Sequence, residues 1–453
     1  MKKTCLFFLT AIFAFPAFSF SEDDDRSPAE KIVPLVESTQ KFSFAFYQEI
    51  LKDHAEENLF FSPMNLHFGL SMTAMGAKGE TQKQMLNALH LEKLTKAEKQ
   101  RFREFGKYFR YNNQLLVYSM TNRFWHDPVS AIKPAFQKEL KDYFDTAITP
   151  MNLKKQPEAS RKAINKAIAE DTNQKIQDLL PPGFITKDTA FVLANAMIFR
   201  GKWASPFMWG KHYTRPESFF LADGAEKETP MMKHPGGEFF VYQEKTFQAV
   251  SLPYYTALGA WSRIRSEDDD EDDDDFWNDD SAWNKKITPE SERRRASMIV
   301  LLPNEKTGLP AIEEKLSAKL WEKITGNMKE RIVELKLPKF RIDTRLDLKA
   351  CLGRMGITDA FIPPSLPHGA DFTGASDSGL LFLQNAIHGA FVDVDEEGTE
   401  AVAVTVMETA DEEDDFDDPQ KIVKFHADHP FLFFIRDDAT GAILFMGRFV
   451  SPP

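Results

Sequence analysis

Apolar residues recur every three or four positions through the first quarter of the chain. In residues 32–51 and 66–75 they fall on one side of a helix with about 3.6 residues per turn. Gly76 and Gly79 interrupt the second stretch, and residues 81–109, rich in Lys, Glu and Leu, predict further helix with a turn. The N-terminal part is therefore predicted to be mainly helical.

Short runs rich in strand-forming residues dominate the rest of the chain. We predict strands in residues 115–118, 190–199, 239–242, 249–252, 297–302, 333–337 and 431–435. Helical spacing returns at residues 160–176 and 308–324. Because helices come first and strands later, without regular alternation, the pattern predicts an α+β fold rather than a parallel α/β one.

The first residues have the pattern of a secretory signal. Lys2 and Lys3 precede an apolar run at residues 6–18, and Ser19 and Ser21 offer small residues for cleavage. The alternative is an uncleaved anchor, but the run is shorter than the roughly 20 apolar residues that span a bilayer. We therefore predict a signal peptide at residues 1–21 and a secreted, extracellular protein, or a periplasmic one in a Gram-negative bacterium.

Only two cysteines occur in the 453 residues. Cys5 would leave with the signal, so the mature chain would keep Cys351 and form no internal disulfide. A chain of this length builds a core large enough to fold without such staples. Beside Leu352 and Gly353, the remaining cysteine is predicted to be a small buried core residue rather than a nucleophile.

The formal net charge is −13, which argues against nucleic acid as a partner. Eleven of the acids lie in residues 267–275 and at Asp279 and Asp280, inside a predicted insertion at about 262–296. A second acidic cluster covers residues 408–418. The first cluster lacks the glycine and alternating spacing of a calcium loop, so a solvated charged loop is favoured over loose calcium binding.

The sequence lacks several common catalytic motifs. The chain lacks a Gly-x-Ser-x-Gly nucleophile elbow, a His-Glu-x-x-His zinc helix and a phosphate-binding loop ending in Lys-Ser or Lys-Thr. The sequence therefore predicts no catalytic residues, no metal ligands and no cofactor.

The most informative segment begins at Gly398, where the backbone has the freedom to turn. Every second residue after it is small: Thr399, Ala401, Ala403 and Thr405. Such a face would fit between two strands above a packed core, so an exposed loop of this sequence would be competent to become a central strand. An ordinary strand followed by an acidic linker explains these residues alone equally well.

This segment closely resembles the hinge of inhibitory serpins, and further motifs extend the resemblance over residues 32–453. In chain order they are Asn58-Leu-Phe-Phe-Ser-Pro63, Gly76-Ala-Lys-Gly-Glu-Thr81, Ala194-Asn-Ala196, Phe199-Arg-Gly-Lys-Trp203, Pro206-Phe207, Pro230-Met-Met232, Leu252-Pro-Tyr254, Leu337-Pro-Lys-Phe340, Ala370-Asp-Phe372, Ala386-Ile-His388, His429-Pro-Phe-Leu-Phe433 and Phe445-Met-Gly-Arg448. Each is weak alone, but together and in order they are specific.

The resemblance implies a fold with three β-sheets, about nine helices and an exposed reactive-centre loop at about residues 396–424. It also implies a monomeric suicide inhibitor of a serine or cysteine endopeptidase, not an enzyme, with no nucleic acid or membrane partner. In such inhibitors the protease cleaves the loop and forms a covalent acyl-enzyme, and the loop then inserts into the large sheet. The alternative is a non-inhibitory serpin that acts as a binding or chaperone-like protein.

Site roles follow from the resemblance residue by residue. The hinge would comprise Glu396, Gly398, Thr399, Ala401, Ala403 and Thr405. A hydrogen-bonded cluster called the shutter, beneath the strands that open, would comprise Ser62, Asn195 and His388, and Trp203 would pack at the breach, where the loop first enters. The chain departs from the family pattern at Asn65, where serine is usual, and at Gly389, where lysine is common.

The resemblance places the scissile bond fourteen residues after the hinge glycine, between Glu412 and Glu413. The alternative, one residue earlier, is Asp411-Glu412, which ends a Glu-Thr-Ala-Asp sequence typical of caspase or granzyme substrates. Either bond predicts a protease with a basic specificity pocket, because an unpaired carboxylate is costly to bury. The stretch from 412 to 425 is about five residues longer than is usual in the family. Cleavage beyond Glu413 would make the inserting arm too long to strain the protease, and the chain would then be a substrate. A further alternative is that the acidic loop is a solvated flap that no protease recognises.

Overall fold

A computed structural model describes residues 27–109, 116–208, 213–255, 296–399 and 422–453. The predicted signal, almost all of the acidic insertion and residues 400–421 lie outside these ranges. The described residues form nine α-helices and fifteen strands, which confirms the predicted α+β class. None of the helices in these ranges is long and apolar enough to cross a membrane.

The helices concentrate in the N-terminal third, as the periodicity predicts. They are α1 (Pro28–Ile50), α2 (Pro63–Gly76), α3 (Gly79–Ala88), α4 (Lys96–Tyr108), α5 (Pro134–Phe144), α6 (Pro157–Asp171), α7 (Leu309–Glu313), α8 (Ala318–Gly326) and α9 (Lys349–Arg354). The single helix predicted at 308–324 is two helices, because the Ser317 side chain caps a new start. The helix predicted to reach residue 176 ends at Asp171, since Asn173 and Gln174 take left-handed conformations, with φ of 48° and 62°.

The strands form two hydrogen-bonded networks. In chain order they are β1 (Leu59–Phe61), β2 (Leu116–His126), β3 (Ile148–Pro150), β4 (Phe191–Lys202), β5 (Arg215–Phe220), β6 (Glu226–Gln243), β7 (Phe247–Pro253), β8 (Ala296–Pro303), β9 (Lys329–Pro338), β10 (Phe340–Asp347), β11 (Ile387–Val394), β12 (Gly398–Thr399), β13 (Val423–His426), β14 (Phe431–Asp437) and β15 (Ile443–Phe449). Six of them form one sheet in the order β10-β11-β12-β4-β2-β3.

The other nine strands form a network that divides at the long strand β6. Its first half pairs with β5 and its second half with β7, while β9 pairs with both halves across a register shift between His234 and Gly237. A bulge of this kind bends a strand and increases its twist, so β6 contributes to two sheets. With the six-stranded sheet this makes three sheets, as expected.

Two apolar layers cover the six-stranded sheet. Helix α2 is buried along its whole length and lies between β4 of this sheet and β15 of the other network. On the opposite face lie α6 and the residues that follow it. We call residues 172–185 the cover segment; its Ile176, Leu179 and Leu180 share one apolar cluster with strands β4 and β11. Cys351 lies buried in the main core, as predicted, and burial raises its pKa to about 12.

Candidate functional site

The central feature of the six-stranded sheet is a two-residue strand between two long ones. In β12, Gly398 pairs with Lys202 and Thr399 with Gly201 of β4, while Thr399 also pairs with Val394 of β11. Strand β12 is antiparallel to both neighbours, so β4 and β11 are parallel to each other. In the part of the chain that the structure describes, β4 and β11 form no ladder with each other, and we call the space between them the slot.

Gly398 lies closer to β4 than any other residue type could. A Cβ atom at this position would lie 2.1 Å from the carbonyl oxygen of Gly201 and 2.9 Å from the Cα atom of Lys202. Its φ is not in the left-handed region, so the glycine is required by close backbone approach rather than by a turn. The physical reason for a glycine here is therefore not the freedom to turn that the sequence suggested.

Thr399 points into the core beside two stacked aromatic rings. Its side chain is buried, and its Oγ1 lies 2.6 Å from the hydroxyl oxygen of Tyr254. The Tyr254 ring stacks on Trp203 with 4.5 Å between ring centroids. Burial raises the pKa of Tyr254 well above its ordinary value, although the hydrogen bond with Thr399 opposes the shift, so the phenol stays protonated.

Trp203 joins the hinge to the end of β4. Its backbone N–H donates to the carbonyl oxygen of Glu397 at 2.8 Å, and its indole Nε1–H donates to that of Asp395 at 2.9 Å. The side chain is 1% exposed. The structure thus places Trp203 against the residues that precede β12.

Three consecutive carboxylates precede Gly398, and each has its own partner. The Glu396 carboxylate accepts from Lys339 Nζ at 2.7 Å, Glu397 lies 3.6 Å from Lys202 Nζ, and Asp395 accepts from two backbone N–H groups of the turn. Burial raises the pKa of Asp395. Burial also opposes ionisation of Glu396, but hydrogen bonds to its carboxylate, the largest of them from Lys339, together outweigh burial and lower the pKa of that carboxyl.

The three predicted shutter residues do not form one cluster. The Ser62 backbone N–H donates to His388 Nε2 at 3.1 Å, and the Ser62 hydroxyl donates to the carbonyl oxygen of Leu444 at 2.8 Å. Burial lowers the pKa of His388 to about 3. Because Nε2 accepts, the neutral ring carries its proton on Nδ1, which is buried and has no partner within the described residues.

Asn195 bonds with neither Ser62 nor His388. Its amide Nδ2 donates to Asn122 Oδ1 on the neighbouring strand β2, and the amide occupies the space above Gly69, where a Cβ would lie 2.0 Å from it. Asn195 and His388 lie on β4 and β11, two strands that form no ladder with each other in the described residues.

Asn65, the residue that departs from the usual serine, is fully buried beside the shutter. Its backbone N–H donates to Ser62 Oγ at 3.2 Å, which caps the first turn of α2. Neither Oδ1 nor Nδ2 of its side chain has a partner in the described parts of the chain.

The predicted exposed loop needs correction at both ends. Glu396, Glu397 and Thr399 are buried rather than exposed, because ion pairs and strand pairing hold them. At the other end, residues 423 and 424 belong to β13, which pairs with β9. Six predicted site residues lie outside the described ranges: Ala401, Ala403, Thr405, Asp411, Glu412 and Glu413.

Four residues of the site received no role from the sequence. Tyr254 and Lys339 stand within family motifs, so their positions were noted without the contacts that they make. Asn122 and Gly69 carry no local signal, because their importance depends on a strand register and on a side chain that is distant in sequence.

Comparisons with known proteins agree with this geometry. The family model described as Serpin (serine protease inhibitor) matches residues 37–263 and 285–452. Human Serpin B4 is 30% identical over 436 residues, covering 92% of this chain and 99% of its own, and a leukocyte elastase inhibitor from Xenopus laevis is 30% identical over 420 residues, covering 91% of this chain and 97% of its own. The crystal structure of uncleaved ovalbumin superposes with a TM-score of 0.73 at 26% identity, covering 92% of this chain and all of that one. The chain belongs to the serpin family.

Proposed function

We propose that this serpin is a secreted inhibitor that traps a serine or cysteine endopeptidase by inserting its cleaved loop into the slot. The observation that carries the proposal is the position of β12: the hinge already forms the first two residues of a strand between β4 and β11. A strand that begins there continues into a slot whose two edges run parallel and accept an antiparallel partner on both sides.

The hinge sequence fits this slot. If the observed register continues, positions 401, 403 and 405 share the face of Thr399, which packs on the aromatic core. Ala401, Ala403 and Thr405 are small enough for that face. Successive residues of the added strand would form main-chain hydrogen bonds alternately with the two edges, at a net gain of about 1 kcal/mol per bond.

The chemistry of trapping belongs to the protease. Its nucleophile attacks the scissile carbonyl, the peptide bond breaks, and the amine of the following residue leaves, so that the loop is held as an ester or thioester. Water would then complete hydrolysis unless insertion moves and distorts the protease first. The inhibitor therefore acts once and supplies strain rather than catalytic groups.

The acidic loop sequence selects the target. With the scissile bond at Glu412-Glu413 or Asp411-Glu412, the protease must offer a basic pocket to a carboxylate. We infer a monomeric inhibitor that acts outside the cytoplasm, since the N-terminal residues have the pattern of a cleaved signal.

The test is a denaturing gel of the mature protein after incubation with a serine protease specific for Glu or Asp and, separately, with a caspase. We expect a band at the summed mass that survives denaturant, and mass spectrometry of the released peptide identifies the bond. Asp411→Asn and Glu412→Gln form a matched pair: only the variant at the true scissile residue should lose the complex. Cleavage without any complex, under conditions where the loop is cut once, would refute the inhibitory mechanism.

A further inference from the structure

Gly389 of β11 leaves a space that is filled by Leu179 of the cover segment. At Gly389, a Cβ atom would lie 2.5 Å from Leu179 Cδ1 and 3.2 Å from Ile176 Cγ2. Both apolar side chains thus sit over the bare backbone of β11, in a notch that any other residue type would fill. We call the space above Gly389 the notch, and Leu179 occupies it.

The cover segment is anchored to elements on either side of the notch. The Leu180 carbonyl oxygen accepts from Arg161 and Asn165 of α6, and the carbonyl oxygen of Gln177 accepts from Arg345 of β10. Because these bonds fix the backbone before and after Leu179, its side chain is directed into the notch rather than free to slide.

The cover spans the slot. Its apolar cluster includes Val192, Ala194 and Ala196 of β4 together with Ile387 of β11, so one layer of side chains contacts both edges. Admitting a complete strand would separate those edges by about 4.8 Å, the spacing between neighbouring strands. The apolar layer cannot keep Leu179 in the glycine notch of β11 and its other side chains against β4 through such a displacement.

The observed register indicates which residue would compete for the notch. Thr399 pairs with Val394, so an inserted strand would bring position 404 beside Gly389. Position 404 alternates with Thr399, so its side chain would point to the cover side of the sheet. Valine stands there in the sequence, and it would occupy the space that Leu179 now fills.

We propose that Leu179 in the Gly389 notch is the latch that sets the rate at which a strand enters the slot. This inference rests on the proposed insertion mechanism, and it adds residues that bind neither the protease nor the loop in the described state. Leu179 slows insertion while the loop is intact. Its side chain must leave the notch before residue 404 of an inserting strand can lie beside Gly389.

The experiment measures strand entry without any protease. A synthetic peptide with the sequence of residues 400–411 is incubated with the mature protein, and its incorporation is followed by the rise in melting temperature and by native gel. We expect Leu179→Ala to speed incorporation about tenfold, the factor that corresponds to about 1.4 kcal/mol of barrier. The matched control is Leu180→Ala, which removes the same three carbon atoms from an equally buried leucine outside the notch.

Gly389→Ala provides a second arm, because its methyl group would displace Leu179 from the notch. It should accelerate incorporation in the wild-type background and have almost no further effect when combined with Leu179→Ala. Equal acceleration by Leu179→Ala and Leu180→Ala, or none by either, would overturn the latch while leaving insertion intact. If even the wild-type protein fails to incorporate the peptide, the insertion mechanism fails and the latch with it.

Discussion

Thr399→Arg places a charge at the first buried position of the hinge. Thr399 is 2% exposed, and its hydroxyl contacts Tyr254, whose ring stacks on Trp203. The described residues offer no carboxylate on that face of the slot to pair with a guanidinium, because the hinge carboxylates already bind Lys339 and Lys202. We therefore expect the arginine to hold the hinge out of the sheet.

The magnitude follows from two losses. Removing the threonine hydroxyl leaves the buried Tyr254 phenol unpaired, at about 1 kcal/mol or more. Burying an uncompensated charge costs about 3 to 5 kcal/mol. The two losses sum to at least about 4 kcal/mol, and if that falls on the first step of insertion it slows the step by about a thousandfold or more. Hydrolysis of the acyl-enzyme would then win the race.

The assay is the yield of denaturant-stable complex and the number of inhibitor molecules consumed per protease trapped. Thr399→Arg should be cleaved at an unchanged rate but yield almost no complex. Thr399→Ser keeps the hydroxyl and the small volume, so it serves as the control and should retain most of the complex. A full yield of complex from Thr399→Arg would refute the view that this side chain enters the sheet.

Three further predictions concern the described residues around the slot. Lys339→Met should lower the free energy of unfolding by about 1 to 2 kcal/mol at neutral pH, since Glu396 loses its partner. Because the pKa of Glu396 is lowered, the contribution of the pair is present above pH 4.5 and disappears as the pH falls. The free energies of unfolding from urea titrations at pH 7 and pH 4 should therefore differ less in the variant than in the wild-type protein. Gly69→Ala should cost about 1 to 3 kcal/mol, because its methyl group would displace the asparagine amide above it, whereas Gly106→Ala, whose Cβ would lie 3.5 Å from the nearest atom, should be neutral or stabilising by urea unfolding. Burial lowers the pKa of His67 from 6.5 to about 4, so this group alone takes about 1.4 kcal/mol from the free energy of unfolding for each unit by which the pH falls between those values. His67→Gln should reduce the slope of stability against pH by that amount, other buried histidines keeping their own share, and an unchanged slope would contradict the assignment.

The sequence predicts the elements with strong periodicity or strong strand composition better than those fixed by distant contacts. Residues 32–51 read as a helix because one apolar stripe runs through them, and α1 spans Pro28–Ile50. Strand β10 was missed, because its alternation of buried and exposed residues includes arginines and aspartates that resemble a surface loop. Its place as the edge of a sheet, paired only with β11 in the described chain, explains those charges.

The site shows the same division. The hinge glycine was found from sequence, because small residues in alternation after a glycine are visible locally. Its actual cause, the approach of Gly398 to the β4 backbone, depends on a pairing with residues almost two hundred positions away. The division of the shutter was not predictable either, since it depends on how β4 and β11, which are distant in sequence, are arranged in the sheet. Gly389 was noted only as a departure from a family pattern, and Leu179 gives it a structural reason.

The polar atoms along the slot suggest how insertion would be favoured from end to end. At the entry, the hinge carboxylates bind lysines or backbone N–H groups, Trp203 donates to hinge carbonyl oxygens, and Tyr254 bonds with Thr399, so the polar groups at this end have partners. Deeper in the slot, the Nδ1 of His388 is buried and unpaired within the described chain, at a cost of about 1 to 3 kcal/mol. Continuing the register of β12 brings position 405 between His388 and Asn195, and the residue there is a threonine, whose hydroxyl accepts as well as donates. The hinge sequence therefore places small residues where the core is apolar and a hydroxyl where the slot has an unpaired proton, which an ordinary strand followed by a linker would have no reason to do.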